Sequence, residues 1–104
     1  MIVAIVQIPM PKRSPADALQ SARASAPTFA AMKDRRLLKK YYLNGDAGGG
    51  GVYLWASRAQ ADALYTAEWF DDMTRRFGAR PTITWYESLV QVDNLRGTID
   101  IPGE

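Results

Sequence analysis

From Ile2 to Ile8 the chain is apolar at odd and even positions alike, with Gln7 the one polar residue. Successive side chains of a strand point to opposite faces, so such a run must be covered on both. Whatever sheet forms around it therefore needs a layer on each side. Pro9, Pro11 and Pro15 end the strand, because proline donates no ladder hydrogen bond.

Residues 15–32 are rich in alanine, with Ala18, Leu19, Ala22, Ala26 and Phe29 near helical spacing. Ser14 suits the N-cap and Pro15 the first helical position. Pro27 is expected to break or kink this helix, leaving a main helix over 15–25 and a less regular turn to residue 33. Residues 36–43 read as a second strand, 44–50 as a flexible glycine hairpin and 51–56 as a third strand. Ser57 and Gln60 form a capping box. The helix behind it carries Ala61, Leu64, Tyr65, Trp69, Met73 and Phe77 on one stripe, with an interruption expected near 67–69. Asp71/Arg75 and Asp72/Arg76 are spaced as i,i+4 pairs on its wet face, and Gly78 suits its end. Residues 82–93 alternate as one long fourth strand. Thr98 to Ile101 is a weaker strand signal closed by Pro102 and Gly103, able to join a sheet edge of its own or of a second subunit.

The order β-α-β-β-α-β predicts an α+β fold of ferredoxin-like type, an antiparallel sheet with both helices on one face. Its domain spans 1–94, with a tail over 95–104. The helices cover one face only. Tyr41, Tyr42, Leu43, Tyr53, Trp55, Trp85 and Tyr86 are spread over both, so the open face would expose a large apolar patch. Packing it on the same face of a twin chain predicts a homodimer.

The chain of 104 residues has no cysteine and no histidine, which excludes disulfides, Ser-His-Asp triads and the usual zinc sites. Its net charge of +2 and interspersed acids do not suggest nucleic acid as a partner. The apolar start is too short for a membrane span and lacks a basic leader, so no membrane partner is expected and a cytoplasmic location follows by default. The basic cluster from Lys33 to Lys40 reads as a solvated strand entry that discourages edge pairing, with attraction of an anionic substrate as the sharper alternative.

Tyr53, Trp55, Tyr65, Trp69, Trp85 and Tyr86 read either as core and dimer packing or as the wall of a pocket for a flat aromatic molecule. Gln7, alone in an apolar strand, either bonds backbone or reaches into that pocket. Glu87, beside Trp85 and near Leu89, either meets solvent or a cation, or is desolvated and acts as a general base. The glycine run lacks a Gly-Lys-Ser/Thr ending and precedes a strand, so it is a hairpin rather than a phosphate cradle.

Gly50-Gly51-Val52-Tyr53-Leu54-Trp55, the capped helix after it, and Gly78-Ala79-Arg80-Pro81 before the last strand together resemble the YdhR-type monooxygenase family. Gln7 within the first strand and Leu37-Leu38-Lys39-Lys40 before the glycines fit as well. That family is similar to the dimeric α/β-barrel superfamily, which includes the antibiotic-biosynthesis monooxygenases. The resemblance implies a face-to-face homodimer and a pocket between sheet and helices. It also implies oxidation of a small aromatic or polycyclic substrate by O2 without a cofactor. The lack of histidine departs from the haem-degrading members and disfavours that activity. Within this expectation Glu87 is the candidate base, and Gln7, Tyr65, Trp69 and Trp85 are candidates to bind substrate. A non-catalytic dimer binding a small hydrophobic molecule, or an isomerase or lyase on the same fold, are the alternatives.

Overall fold

A strand apolar on both faces belongs between two others, and the computed structural model, which describes residues 1–101, places β1 (Ile2–Ile8) there. β3 (Gly48–Trp55) lies antiparallel on one side and β4 (Thr82–Glu87) on the other. β2 (Leu37–Gly45) pairs outside β3, so the sheet order is β2-β3-β1-β4. Helix α1 (Pro15–Ala30) and a short 3-10 turn (Ala31–Arg35) connect β1 to β2. Helices α2 (Arg58–Asp62) and α3 (Ala67–Phe77) connect β3 to β4. This α+β arrangement is compatible with a ferredoxin-like fold. Among the described residues no helix is long and apolar enough to cross a membrane.

One face of the sheet carries the core. Ala4, Val6 and Ile8 of β1 are buried there with Leu37, Tyr53 and Trp55, beneath Ala61 and Tyr65. Phe29 of α1 and Phe70, Met73 and Phe77 of α3 pack against the same cluster. Each fully buried large side chain contributes about 1.5–3 kcal/mol. The opposite face carries Val3, Ile5, Val52 and Leu54, joined through the pairings Val52–Tyr41 and Val3–Tyr86. Tyr41 and Tyr86 are each 56% exposed there.

Four local expectations are corrected. The glycine run is part of β3, and the turn is only Asp46–Ala47, between the paired Gly45 and Gly48. Here β1 crosses so close that a Cβ on Gly48 or Gly50 would lie 2.1 or 1.9 Å from the Ile8 or Val6 carbonyl oxygen. Both glycines also hold φ above +120°, which L side chains rarely adopt. Pro27 does not break α1, which runs on to Ala30. Proline removes one hydrogen bond, and Arg23, the residue whose carbonyl loses it, is exposed to water. The second helix splits at 63–66, where the Thr66 hydroxyl accepts from the Trp69 amide at 3.2 Å and starts α3 afresh.

The fourth correction concerns the C-terminal part. β4 stops at Glu87, paired with Ile2 at the end of the β1 ladder, and the Ser88 amide closes on the Met1 carbonyl. β5 (Gln91–Asp93) and β6 (Thr98–Asp100) form a separate hairpin instead. The Asp93 carboxylate accepts the Leu95 and Arg96 amides in its turn, and the Arg96 amide foremost holds its pKa below the usual value. Val92, Leu95 and Ile99 of this hairpin are all exposed. Pro102 and Gly103, expected to close the tail, lie outside the described residues.

Candidate functional site

Helix α1 has no buried residue. Besides Leu19 and Phe29, the residues it contributes above the sheet are Ala18, Ser21, Ala22 and Ser25, too small to fill the space beneath. A cavity of about 280 Å³ results. Its floor is Val6, Ile8 and Tyr53, and Phe29, Met73 and Phe77 add apolar walls. The size lies near the lower end of ligand sites, about 300–1,000 Å³, and suits one or two fused rings. Two polar links hold the helix over the sheet. The Ser25 and Tyr42 hydroxyls meet at 2.7 Å. Asn44 accepts from the Arg13 amide and donates to the Arg13 carbonyl, both at 3.0 Å.

Lys40 enters this cavity because of a bulge. Leu37 pairs with Trp55, yet Lys39 pairs with Leu54, so Leu38 is an extra residue in β2. From there Lys40 pairs with Tyr53 and shares the core face. Its Nζ lies 3.2 Å from the centre of the Phe29 ring, 4.0 Å from Tyr42 and 4.6 Å from Tyr53. Burial, with the charge of Arg76 second, pulls its pKa down to about 7. The three ring faces attract the ammonium and oppose that shift. Lys40 is thus the group here that changes charge near neutrality. Burial also raises the Tyr53 hydroxyl, so it stays protonated.

Arg13 and Arg76 add to the polar lining, and among the described residues no carboxylate lines the cavity. Gly49 makes room for Arg13, since a Cβ there would meet the Met10 sulfur at 3.1 Å and the Arg13 Nη2 at 3.2 Å. Arg13 Nε is buried without a hydrogen-bond partner among the described residues.

The residues singled out from the sequence sit elsewhere. Tyr65, Trp69 and Trp85 do come together, as edge-to-face rings with Tyr65 5.0 Å from Trp69 and 5.5 Å from Trp85. Trp55 donates from Nε1 to the Tyr65 hydroxyl at 3.1 Å, within the core. Burial raises the pKa of Tyr65, as expected of a packed phenol. Trp85 is covered by the Arg58 guanidinium, 3.6 Å from its ring centre. None of these three lines the cavity. Gln7 is exposed, opposite Gly50 and Thr82 on the face away from the helices. Glu87 is exposed at the Ile2 end of the sheet, four residues along β1 from Val6, or about 13 Å.

Lys40 and Arg13 were not among the sequence candidates. Lys40 reads as the end of a solvated basic cluster, and only its neighbours Tyr41 and Tyr42 hint at an aromatic setting. Arg13 sits in a proline-rich loop with no motif around it. The i,i+4 spacing pairs Arg76 with Asp72, but Arg75 takes that carboxylate, leaving Arg76 at the cavity. Compared with known proteins, the chain matches no family model and no curated protein.

Proposed function

We propose that this chain is a cofactor-independent monooxygenase for a small aromatic substrate, working as a ferredoxin-like homodimer of the dimeric α/β-barrel type. The observation that carries the reading is a largely apolar cavity holding a lysine whose pKa lies near neutrality. A phenol or enol bound there loses its proton to the neutral Lys40 amine. The resulting ammonium, with Arg13 and Arg76, stabilises the anion in a poorly hydrated space. The electron-rich carbon of that anion adds O2 to form a C–O–O bond. Protonation and loss of water across the peroxide leave a carbonyl, so one oxygen enters product and the other leaves as water. No external reductant is needed.

The dimer part of the reading rests on the open face, where Val3, Ile5, Val52 and Leu54 are only partly buried in the single chain and Tyr41 and Tyr86 are exposed. The β5–β6 hairpin supports it too. A lone two-stranded hairpin is marginal in water, and this one exposes its apolar residues. A twin chain covers both.

The test is O2 consumption by metal- and flavin-free protein with a panel of one-ring, two-ring and polycyclic phenols, with product analysis under ¹⁸O2. One labelled oxygen in the product is expected, with Lys40→Met lowering the rate about 10²-fold or more. No uptake with any substrate, or product formed equally under nitrogen, overturns the reading.

A further inference from the structure

Three cations line the cavity, Arg13, Lys40 and Arg76, and among the described residues no acid does. The chain as a whole has 13 basic and 11 acidic residues, so this clustering is not a matter of composition. Among the described residues the ion pairs are Arg58–Asp62 and Arg75–Asp72, and neither involves these three. A groove on the other flank of Phe29 and Lys40 adds Lys33, Arg36 and Lys39 and again no acid among the described residues. Like charges gathered beside apolar walls repel one another and lose hydration, which costs stability unless an anion neutralises them. Arg13 is held ready for one, since Asn44 fixes its backbone, Gly49 leaves space for its guanidinium and its buried Nε has no partner among the described residues.

We infer that the cavity selects a small hydrophobic acid, a one- or two-ring body bearing a carboxylate or other fixed negative charge that Arg13 and Lys40 receive. The ring lies against Phe29, Tyr53, Met73 and Phe77. The anionic group sits where Arg13 Nε gains an acceptor and Arg76 adds attraction from the rim. This narrows the substrate class of the proposed oxygenase and rests on that cavity, but it concerns binding and needs no turnover. Lys40 makes the selection depend on pH. The groups facing it are Arg76 of α3, Tyr42 of β2 and Tyr53 of β3, with Lys33, Arg36 and Lys39 in the adjoining groove. All but the tyrosines are cationic, so a bound anion returns the Lys40 proton.

The experiment compares 1-naphthoate with 1-naphthalenemethanol, its neutral analogue of similar size, by calorimetry at low salt. At pH 6 the acid is expected to bind about tenfold more tightly. Arg13→Met and Lys40→Met each remove most of that preference while leaving the alcohol within about twofold, which also reports an intact cavity. From pH 6 to pH 9 the acid weakens about fivefold or more in the wild type but not in Lys40→Met. Equal affinity for the two compounds, no binding of either, or equal loss of both in Arg13→Met overturns the inference. Its fate is separable from that of the oxygenase. Naphthoate selection without O2 uptake on any phenol sinks only the oxygenase, and uptake on neutral phenols without naphthoate selection sinks only this inference.

Discussion

Lys40 Nζ stands 3.2 Å from the centre of the Phe29 ring, joining the second strand to the first helix through a cation and an aromatic face. The contact brings a titratable amine under the helix where small residues leave a cavity. Its consequences for stability and for binding can be measured separately.

Lys40 should make folding stability depend on alkaline pH. Its ordinary pKa of 10.5 falls to about 7 in the fold. Between those values the unfolded chain holds a proton that the folded chain has released. Stability therefore rises as pH climbs from about 7 to about 10.5. Below about pH 7 the folded chain must keep the ammonium desolvated, and the penalty is complete. Lys40→Met is expected to melt several degrees above the wild type at pH 6, with the gap closing towards pH 10. A gap that does not change with pH would contradict the assigned titration.

The Trp55–Tyr65 hydrogen bond should matter to the core and not to the cavity. Tyr65→Phe leaves the buried Trp55 Nε1 without an acceptor, at a cost of about 1–3 kcal/mol. Chemical denaturation should show that loss, while affinity for 1-naphthoate stays within about twofold. A selective loss of ligand affinity at unchanged stability would return Tyr65 to the binding site.

Glycines of the β2–β3 hairpin should divide sharply. Gly50→Ala forces a Cβ against the Val6 carbonyl at positive φ, so it should cost several kcal/mol or prevent soluble expression. Gly45→Ala meets nothing within 4 Å and should shift the melting temperature only slightly. Comparable behaviour of the two variants would show that β1 and β3 do not approach as described.

Sedimentation should resolve the open face. The wild type is expected to be dimeric at micromolar concentration. Val52→Lys, placed between Ile5 and Tyr41, should give a folded monomer with unchanged far-UV circular dichroism. A monomeric wild type would remove the basis for the homodimer.

Much of the architecture follows from local chemistry alone. The two-sided apolar run of Ile2–Ile8 requires a central strand, the Ser57–Gln60 box and Gly78 mark helix ends, and the alternation over 82–93 marks β4, though not its end at Glu87. Such signals act within a few residues, so they survive without knowledge of the partner elements. The glycine run reads as a loop because the cause of its composition is not local. Those residues are glycine to let β1 pass closely, which no pattern inside the run expresses.

The candidate site depended on the tertiary structure for the same reason. Strict alternation from Leu37 would put Lys39, Tyr41 and Leu43 on the core face. One extra residue at Leu38 reverses this and turns Lys40, Tyr42 and Asn44 inward. A bulge is a property of two paired strands, not of one. Residue types along the chain therefore determined that a sheet with helices would form. Strand register and the distance between α1 and the sheet decided that a lysine and two arginines would share an unfilled space.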